Sequence, residues 1–411
     1  MKRSCILSAV AALLAIVICI LSCSCAKEPK EVSCGYSRST NLGSGDESGA
    51  DTVLAGLAFA MLGKLPNESG DNVCISPFSA AMCLAMIANG AGGETRAQIE
   101  VLLGMKTAAL NRAFLALGDR LCADASAFSS ANSLWLREGM NVYPEFLQAN
   151  ADNYGAEIFT SPFDDRTAKD INRWAEKKTD GMIKDLIDRL DPDALAVIVN
   201  AVCFEAMWEE KYEKDDISDG VFCCRDGTES AVKLLSSSER DYIGTPRAEG
   251  FVKRYLSEED GAPAFGFVGL LPADKNEDIF DFARSLDGGE WMDMWNKKSG
   301  AVRVKLPEFG FDYKVELKDV LAALGVTDMF DPGKADLGGI ADCAMSCSRM
   351  IHQTHIEVDR NGTRAAAATA AVFDSAAMSS DKVLVFDRPF MFMIVDYATG
   401  IPLFIGVVTN I

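Results

Sequence analysis

From residue 362 the chain runs Gly362-Thr363-Arg364-Ala365-Ala366-Ala367-Ala368-Thr369-Ala370-Ala371-Val372-Phe373, then through small polar residues to Asp381. This stretch restricts the fold more than any other. Alanine is the best helix former, so a surface helix is the plainest reading. That reading explains neither the absence of a charged face after Arg364 nor a position between two strand patterns. Side chains no larger than threonine are what a segment needs if it is to slide between two existing strands, because larger ones would overfill a packed core at each inward position. The run therefore predicts an insertable segment beside a large sheet.

The flanks supply that sheet. Ile356 and Val358 alternate with Glu357 and Asp359, and Val302, Val304 and Leu306 alternate with Arg303 and Lys305. Residues 197–204 are nearly continuously apolar, as in a buried strand. The stretch 383–411 reads as two strands joined by Tyr397-Ala398-Thr399-Gly400. Helical periodicity is clear over 52–65, 77–88, 94–103 and 168–189. Helices early and strands late predict an α+β architecture with large, mainly antiparallel sheets. No Pro- or Ser-rich linker breaks the chain between about residue 51 and residues 374–382, so 51–411 reads as one large domain without internal repeats.

The N-terminus carries Lys2 and Arg3, an apolar run to Leu21, and Ile20-Leu21-Ser22-Cys23, which together form an export signal over residues 1–22. Ile-Leu-Ser before Cys23 resembles the lipobox of bacterial lipoproteins, which would make Cys23 the acylated mature N-terminus; Cys25 is a weaker alternative, and an ordinary cleaved signal or uncleaved anchor the plainer one. Residues 23–50, rich in Ser, Gly, Glu and Lys, read as a flexible tether. The remaining cysteines form neither a disulfide framework nor a CxxC site, and Cys343 and Cys347, four apart, give only a weak metal or redox hint. A formal charge of -20, from 60 acidic against 40 basic residues, disfavours nucleic-acid and polyanion partners.

Catalytic chemistry is hard to find. The chain has 2 histidines, His352 and His355, in one strand-like segment, and no GxSxG elbow, HExxH helix or GxxxxGK[ST] loop. Gly90-Ala91-Gly92-Gly93 lacks a preceding strand and suits a helix stop and restart. The apolar surroundings of His352 suit a hydrogen-bonded core histidine better than a catalytic base. No cofactor or metal is expected, and the chain does not read as an enzyme.

Several segments share one resemblance. Glu357-Val358-Asp359-Arg360-Asn361-Gly362-Thr363, followed by the alanines and Thr369, looks like the hinge of inhibitory serpins. Residues 76–104, 131–136, 171–187, 200–212, 302–330 and 387–408 resemble further landmarks of that family in its own order. The resemblance implies the serpin fold: three β-sheets with a central five-stranded one, about eight to nine helices, and an exposed reactive-centre loop at about 360–386. It also implies suicide-substrate inhibition of serine proteases. The cut loop enters the central sheet as a new strand, a mode of strand addition, and drags the covalently attached protease with it. The inhibitor then supplies no catalytic residue.

Residue by residue, the resemblance places the hinge at Gly362, Thr363, Ala365, Ala367, Thr369 and Ala371, with strand alternation turning the last five inward and Arg364 outward. Counting fourteen residues from Gly362 puts the reactive bond at Ala376-Ala377, with Ala377-Met378 and Met378-Ser379 as alternatives. All three suit proteases with shallow or apolar primary pockets, elastase-like enzymes above all. Ser76, Ser79, Asn200 and His352 match the polar cluster over which the sheet opens, with Asn200 and His352 able to bridge neighbouring strands. Trp208 matches the tryptophan where insertion begins. One departure is a charge exchange: where the family usually has Glu before the hinge glycine and Lys after a Leu-Pro, this chain has Arg360 and Glu308. A reversed ion pair would preserve the attraction. Residues 107–126 offer only Arg112 and Arg120, so no heparin-type cofactor is implied. The expected partners are a target serine protease and a membrane reached through the N-terminal lipid, the inhibitor itself acting as a monomer at the outer membrane or surface of a Gram-negative bacterium. The alternative is a non-inhibitory serpin acting as a carrier or structural protein.

Overall fold

The computed structural model describes residues 30–31, 36, 38–39, 49–66, 70–122, 127–257, 264–363 and 382–411. Cys23, Ala365, Ala367, Thr369, Ala371, Ala376, Ala377, Met378 and Ser379 lie outside them.

Nine α-helices occur among the described residues: α1 (Ala50–Leu62), α2 (Pro77–Ala88), α3 (Gly93–Leu102), α4 (Thr107–Leu121), α5 (Pro144–Tyr154), α6 (Asp165–Lys178), α7 (Ile279–Ser285), α8 (Gly288–Lys297) and α9 (Lys318–Ala323). Helix α2 is apolar all round, and every residue in it but Cys83 is buried, as expected of a helix running through a core. Its start is fixed chemically. Ser76 caps it by accepting from the Ser79 N–H at 3.2 Å, and Pro77 occupies the first turn, where its missing N–H costs nothing.

The strands form three layers, one of them divided. A six-stranded antiparallel sheet takes the order β2 (Val73–Ile75), β18 (Pro402–Val408), β17 (Phe390–Asp396), β11 (Phe265–Pro272), β10 (Ala248–Arg254), β9 (Asp241–Gly244). A four-stranded sheet runs β16 (Val383–Val385), β12 (Val302–Pro307), β8 (Glu229–Glu239), β7 (Ile217–Cys223), with β12 and β16 parallel. The central layer comes in two hydrogen-bonded parts. One is β1 (Lys30–Glu31), β4 (Glu157–Ser161), β3 (Phe128–Arg137), β5 (Ala196–Phe204); the other is β13 (Phe309–Glu316), β14 (Ile351–Val358), β15 (Gly362–Thr363), β6 (Ala206–Met207). Its five long strands are those expected of the central sheet, but no backbone pairing joins β5 to β14 among the described residues.

The main core fills the space between the central and six-stranded sheets around α2, with Phe78 edge-on to Phe128 and Phe114 at 5.6 and 6.0 Å. A smaller core lies between β3–β5 and α6. There Trp135 stacks on Phe159 at 4.3 Å beside Ile171, Trp174, Ile183, Leu186 and Ile187.

One expected helix is shorter than its periodicity. The apolar spacing over 168–189 predicts a single helix, but α6 ends at Lys178 because Asp180 and Gly181 take positive φ (46° and 77°), the left-handed exit typical of a C-terminus. Residues 182–187 still bury Met182, Ile183, Leu186 and Ile187, as an irregular segment. Asn172 clasps this segment through both directions at Ile187, each bond 2.8 Å. From the opposite part of the central sheet, Lys314 Nζ donates to Asp185 O at 2.9 Å and Gln353 Nε2 to Lys184 O at 3.0 Å.

Within residues 23–50, expected as a tether, the described positions rest on the domain. Lys30–Glu31 pairs with the edge of β4, the Arg38 guanidinium forks onto the Asp119 carboxylate, and the Ser39 N–H donates to Asp152 at 2.8 Å. Helix α1 starts at Ala50, one residue before the expected domain boundary.

The smaller core provides a direct test. Trp135 is 1% exposed, so Trp135→Ala is expected to lower stability by about 3–5 kcal/mol, read as a drop in the urea midpoint with an unchanged far-UV circular dichroism spectrum at rest.

Candidate functional site

Strand β14 ends at Val358, and the chain reverses at once. The Asp359 carboxylate accepts from the backbone N–H groups of Asn361 (2.7 Å) and Gly362 (3.0 Å), an Asx-type turn. The turn feeds Gly362–Thr363 back as β15, between β14 (Val358 opposite Thr363) and β6 (Met207 opposite Gly362, Ala206 opposite Thr363). Residue 362 must be glycine for a steric reason, since a Cβ there would lie 2.0 Å from the Ala206 carbonyl oxygen. Thr363 is 1% exposed, and its hydroxyl bonds to the Tyr255 hydroxyl. The first two hinge residues thus already form a strand at the top of the central sheet.

A clasp of aromatic residues holds this root. The Trp208 indole N–H donates to Asp359 O and its backbone N–H to Asn361 O, both at 2.9 Å, while the Tyr212 N–H donates to Arg360 O at 3.2 Å. Trp208 stacks on Tyr255 at 4.6 Å. Across the same turn Arg360 Nε faces Glu308 Oε1 at 3.7 Å, with both side chains partly in solvent.

Below β15 the two parts of the central sheet face each other across a cavity of about 410 Å³. Its walls include Val197, Val199 and Asn200 of β5, Ile351 and His352 of β14, Ser79 of α2, and the irregular segment through Leu190. The four polar residues expected to cluster here fall into two groups. The Ser76 N–H donates to His352 Nε2 at 2.9 Å, with Ser76 also capping α2 at Ser79. Asn200 sits on the far wall, donating to Ser130 Oγ (3.0 Å) and Asn132 Oδ1 (2.8 Å) of β3. Its own Oδ1 is buried without a hydrogen-bond partner among the described residues. Asn200 therefore bridges to its neighbouring strand β3, while His352 bonds to the cap of α2, and neither side chain reaches across the gap between β5 and β14. The separation of β5 from β14 is the physical reason.

Burial pulls the His352 pKa down from its ordinary 6.5 to about 4. The neutral ring matches its geometry, because Nε2 must keep a lone pair to accept from Ser76. Burial likewise pushes the Cys83 and Cys347 thiols on the cavity wall up to about 12, leaving them poor nucleophiles. Among the described residues no group of three or more His, Cys, Asp and Glu side chains is placed to hold a metal ion.

Three participants escaped the sequence reading. Asp359 had a usable signal, since Asp-x-Asn-Gly after a strand is a turn signature. Tyr255 had none, being one aromatic in the mixed stretch Phe251-Val252-Lys253-Arg254-Tyr255. The third is an ion pair between Lys253 and Glu239, 2% and 8% exposed, with Nζ to Oε1 at 3.0 Å. Its partners lie on separate strands and carry no local pattern linking them.

A family model described as serpin (serine protease inhibitor) matches residues 52–411. The chain is 30% identical to leukocyte elastase inhibitor A of Rattus norvegicus over 357 residues, 82% of this chain and 92% of that one. Among solved structures it resembles the thermophilic serpin tengpin in its native state, with a TM-score of 0.85 and 32% identity over 93% of this chain and 100% of that one. The likeness to tengpin in the latent state is lower, with a TM-score of 0.78 and 31% identity over 90% and 100% of the two chains.

Two measurements follow from this geometry. Glu308→Lys sets two cations against each other at the turn and is expected to speed spontaneous loss of the native form. Because exposed pairs contribute only about 0–1 kcal/mol, the unfolding midpoint should barely move, and adding Arg360→Glu should restore the wild-type rate; a double variant as fast as the single one would sink the pair's role. For His352, the folded pKa near 4 lies below the ordinary value, so the unfolded chain binds the extra proton. Stability is then full above pH 6.5 and is lost as pH falls toward 4, by up to about 3 kcal/mol. Urea midpoints between pH 7 and 4.5 should fall more steeply for the wild type than for His352→Gln.

Proposed function

The chain belongs to the serpin family, and from that premise we propose that it inhibits serine proteases by covalent trapping, offering 364–381 as bait and taking the cut segment into the central sheet. One observation carries this reading above the rest. The hinge root Gly362–Thr363 is already a strand between β14 and β6, and directly beneath it β5 and β14 face each other with no ladder between them. The unpaired edges leave room in this reading for one more strand, and the residues that follow Thr363 in sequence are the ones that would supply it.

The chemistry required is economical. The protease attacks the bait bond with its own serine and becomes an acyl enzyme, and the freed hinge then zips down between β5 and β14. Roughly a dozen residues entering at about 0.5–1.5 kcal/mol of net hydrogen bonding each give several kcal/mol or more, and alanine and threonine side chains meet the packed walls without clash. Asn200 Oδ1, unpartnered in this state, is an acceptor on the entry path. The protease is carried from one end of the sheet to the other before water can release it. The inhibitor contributes position and stored free energy, and no catalytic group.

Specificity follows from the bait. Ala376-Ala377 as the reactive bond, or Ala377-Met378 or Met378-Ser379, offers a small or apolar residue to the primary pocket, which suits elastase-like proteases and not trypsin-like ones. The similarity to a leukocyte elastase inhibitor agrees with this preference. Small hinge residues at 363, 365, 367, 369 and 371 support inhibition over a carrier role, because a large or charged inward side chain would stop the zipper. The Ile-Leu-Ser-Cys motif at 20–23 supports export and acylation at Cys23, which would display the inhibitor at a bacterial outer membrane.

Incubating residues 26–411 with neutrophil elastase, followed by denaturing electrophoresis and intact-mass analysis, tests both halves of the proposal. The expected result is a complex that survives denaturant and a released peptide beginning at Ala377, Met378 or Ser379. Clean cleavage without a complex, repeated with subtilisin-like and chymotrypsin-like enzymes, would shift the assignment to a non-inhibitory member.

A further inference from the structure

Lys253 and Glu239 are the most enclosed ion pair in the described fold, and nothing in the trapping mechanism uses them. Lys253 sits on β10 and Glu239 at the end of β8. Burying both ions is costly, and such a pair adds little stability over apolar side chains of similar size. Its surroundings are therefore informative. The Lys253 ammonium lies 4.4 Å from the centre of the Tyr212 ring and 5.5 Å from that of Trp208, within cation–π range of both. Those two residues hold the hinge root through Asp359 O, Arg360 O and Asn361 O. The adjoining backbone is fastened as well, with the Glu209 N–H donating to Arg254 O at 3.0 Å and the Leu256 N–H to Met207 O at 2.8 Å. Burial by itself disfavours the ammonium, yet Glu239 and the neighbouring groups outweigh it and leave the Lys253 pKa above its ordinary value. The cation is permanent.

We propose that the Lys253–Glu239 pair positions Trp208 and Tyr212 against the turn of 359–361, and so sets how readily the hinge enters the sheet. The carboxylate orients the ammonium, the ammonium anchors the two rings, and the residues that carry them hold the turn of 359–361, Trp208 through its indole and backbone N–H groups and Tyr212 through its backbone N–H. Entry of further hinge residues must pull the turn away from Trp208 and Tyr212. A stiffly anchored pair of rings raises that barrier without adding contacts to the inserted strand. The pair thus acts through other residues, as a positioning device, and the inference rests on the reading of 364–381 as an inserting segment.

The test compares wild type with Lys253→Met/Glu239→Leu, which removes both charges at similar volume, and with Lys253→Arg, which keeps a cation able to lie on aromatic faces. The probe is a synthetic peptide with the sequence of residues 363–376, whose uptake into the full-length protein is followed by native electrophoresis and tryptophan fluorescence. The apolar double variant is expected to take up the peptide about tenfold faster than wild type, a barrier lower by about 1.4 kcal/mol, with Lys253→Arg close to wild type. Tyr212→Leu, which leaves the ion pair in place, should lie between them and keeps the test alive should the double variant not fold. A purely structural pair predicts a different pattern, in which urea midpoints shift while uptake rates stay within about twofold, and that pattern overturns the proposal. Peptide uptake requires no protease. Accelerated uptake in a protein that never traps elastase would refute only the inhibitory reading, and efficient trapping with unchanged uptake in the variants would refute only the role of the ion pair.

Discussion

The facing edges of β5 and β14 carry ladder positions that neither strand fills with the other, and the behaviour of the fold follows from that omission. Each strand pairs fully on its other side, β5 with β3 over the whole of its length and β14 with β13 from Ile351 to Val358. Closing the gap directly would satisfy the sheet and end its usefulness. An open edge is ordinarily a liability, because it invites another strand. In the proposed mechanism the strand it invites is encoded a few residues downstream of β14, following Gly362–Thr363.

The top of the gap is built from residues that hold and residues that permit. Gly362 permits, because only an absent side chain can pass the Ala206 carbonyl. Trp208, Tyr212 and Tyr255 hold, by hydrogen bonds to backbone carbonyls and to the Thr363 hydroxyl that are directional and breakable. Apolar packing alone would grip the turn without specifying its position. Directional hydrogen bonds fix it at one place and can be exchanged, as the proposed insertion requires.

Much of this was legible in the sequence, for reasons that can be stated. The strand alternation around 302–306 and 356–359 and the helix at 77–88 express local period, which sequence carries directly. Helix α6 was read eleven residues too long because the apolar period continues past its end, and the left-handed geometry of Asp180 and Gly181 overrides it. The sequence named Ser76, Ser79, Asn200 and His352 without naming their partners. That Asn200 bonds to Ser130 and Asn132, and His352 to Ser76, depends on how elements distant in sequence pack, which no pattern within a single strand encodes. The Lys253–Glu239 pair was invisible for the same reason: charges on separate strands become neighbours only after the six-stranded and four-stranded sheets meet.

The segment after α6 shows why its irregularity is useful. Leu186, Ile187, Arg189 and Leu190 of this segment roof the cavity, and the segment is tied to α6 by Asn172 and to the other half of the sheet by Lys314 and Gln353. Had the helix continued, its carbonyls would have been spent within it and the roof would be a rigid beam lying across the gap. As an open segment it offers the carbonyls of Lys184, Asp185 and Ile187 to side chains on both banks, a bridge moored by a few ropes. Were 364–381 to insert as proposed, these few hydrogen bonds are what the segment would have to exchange to let the new strand pass.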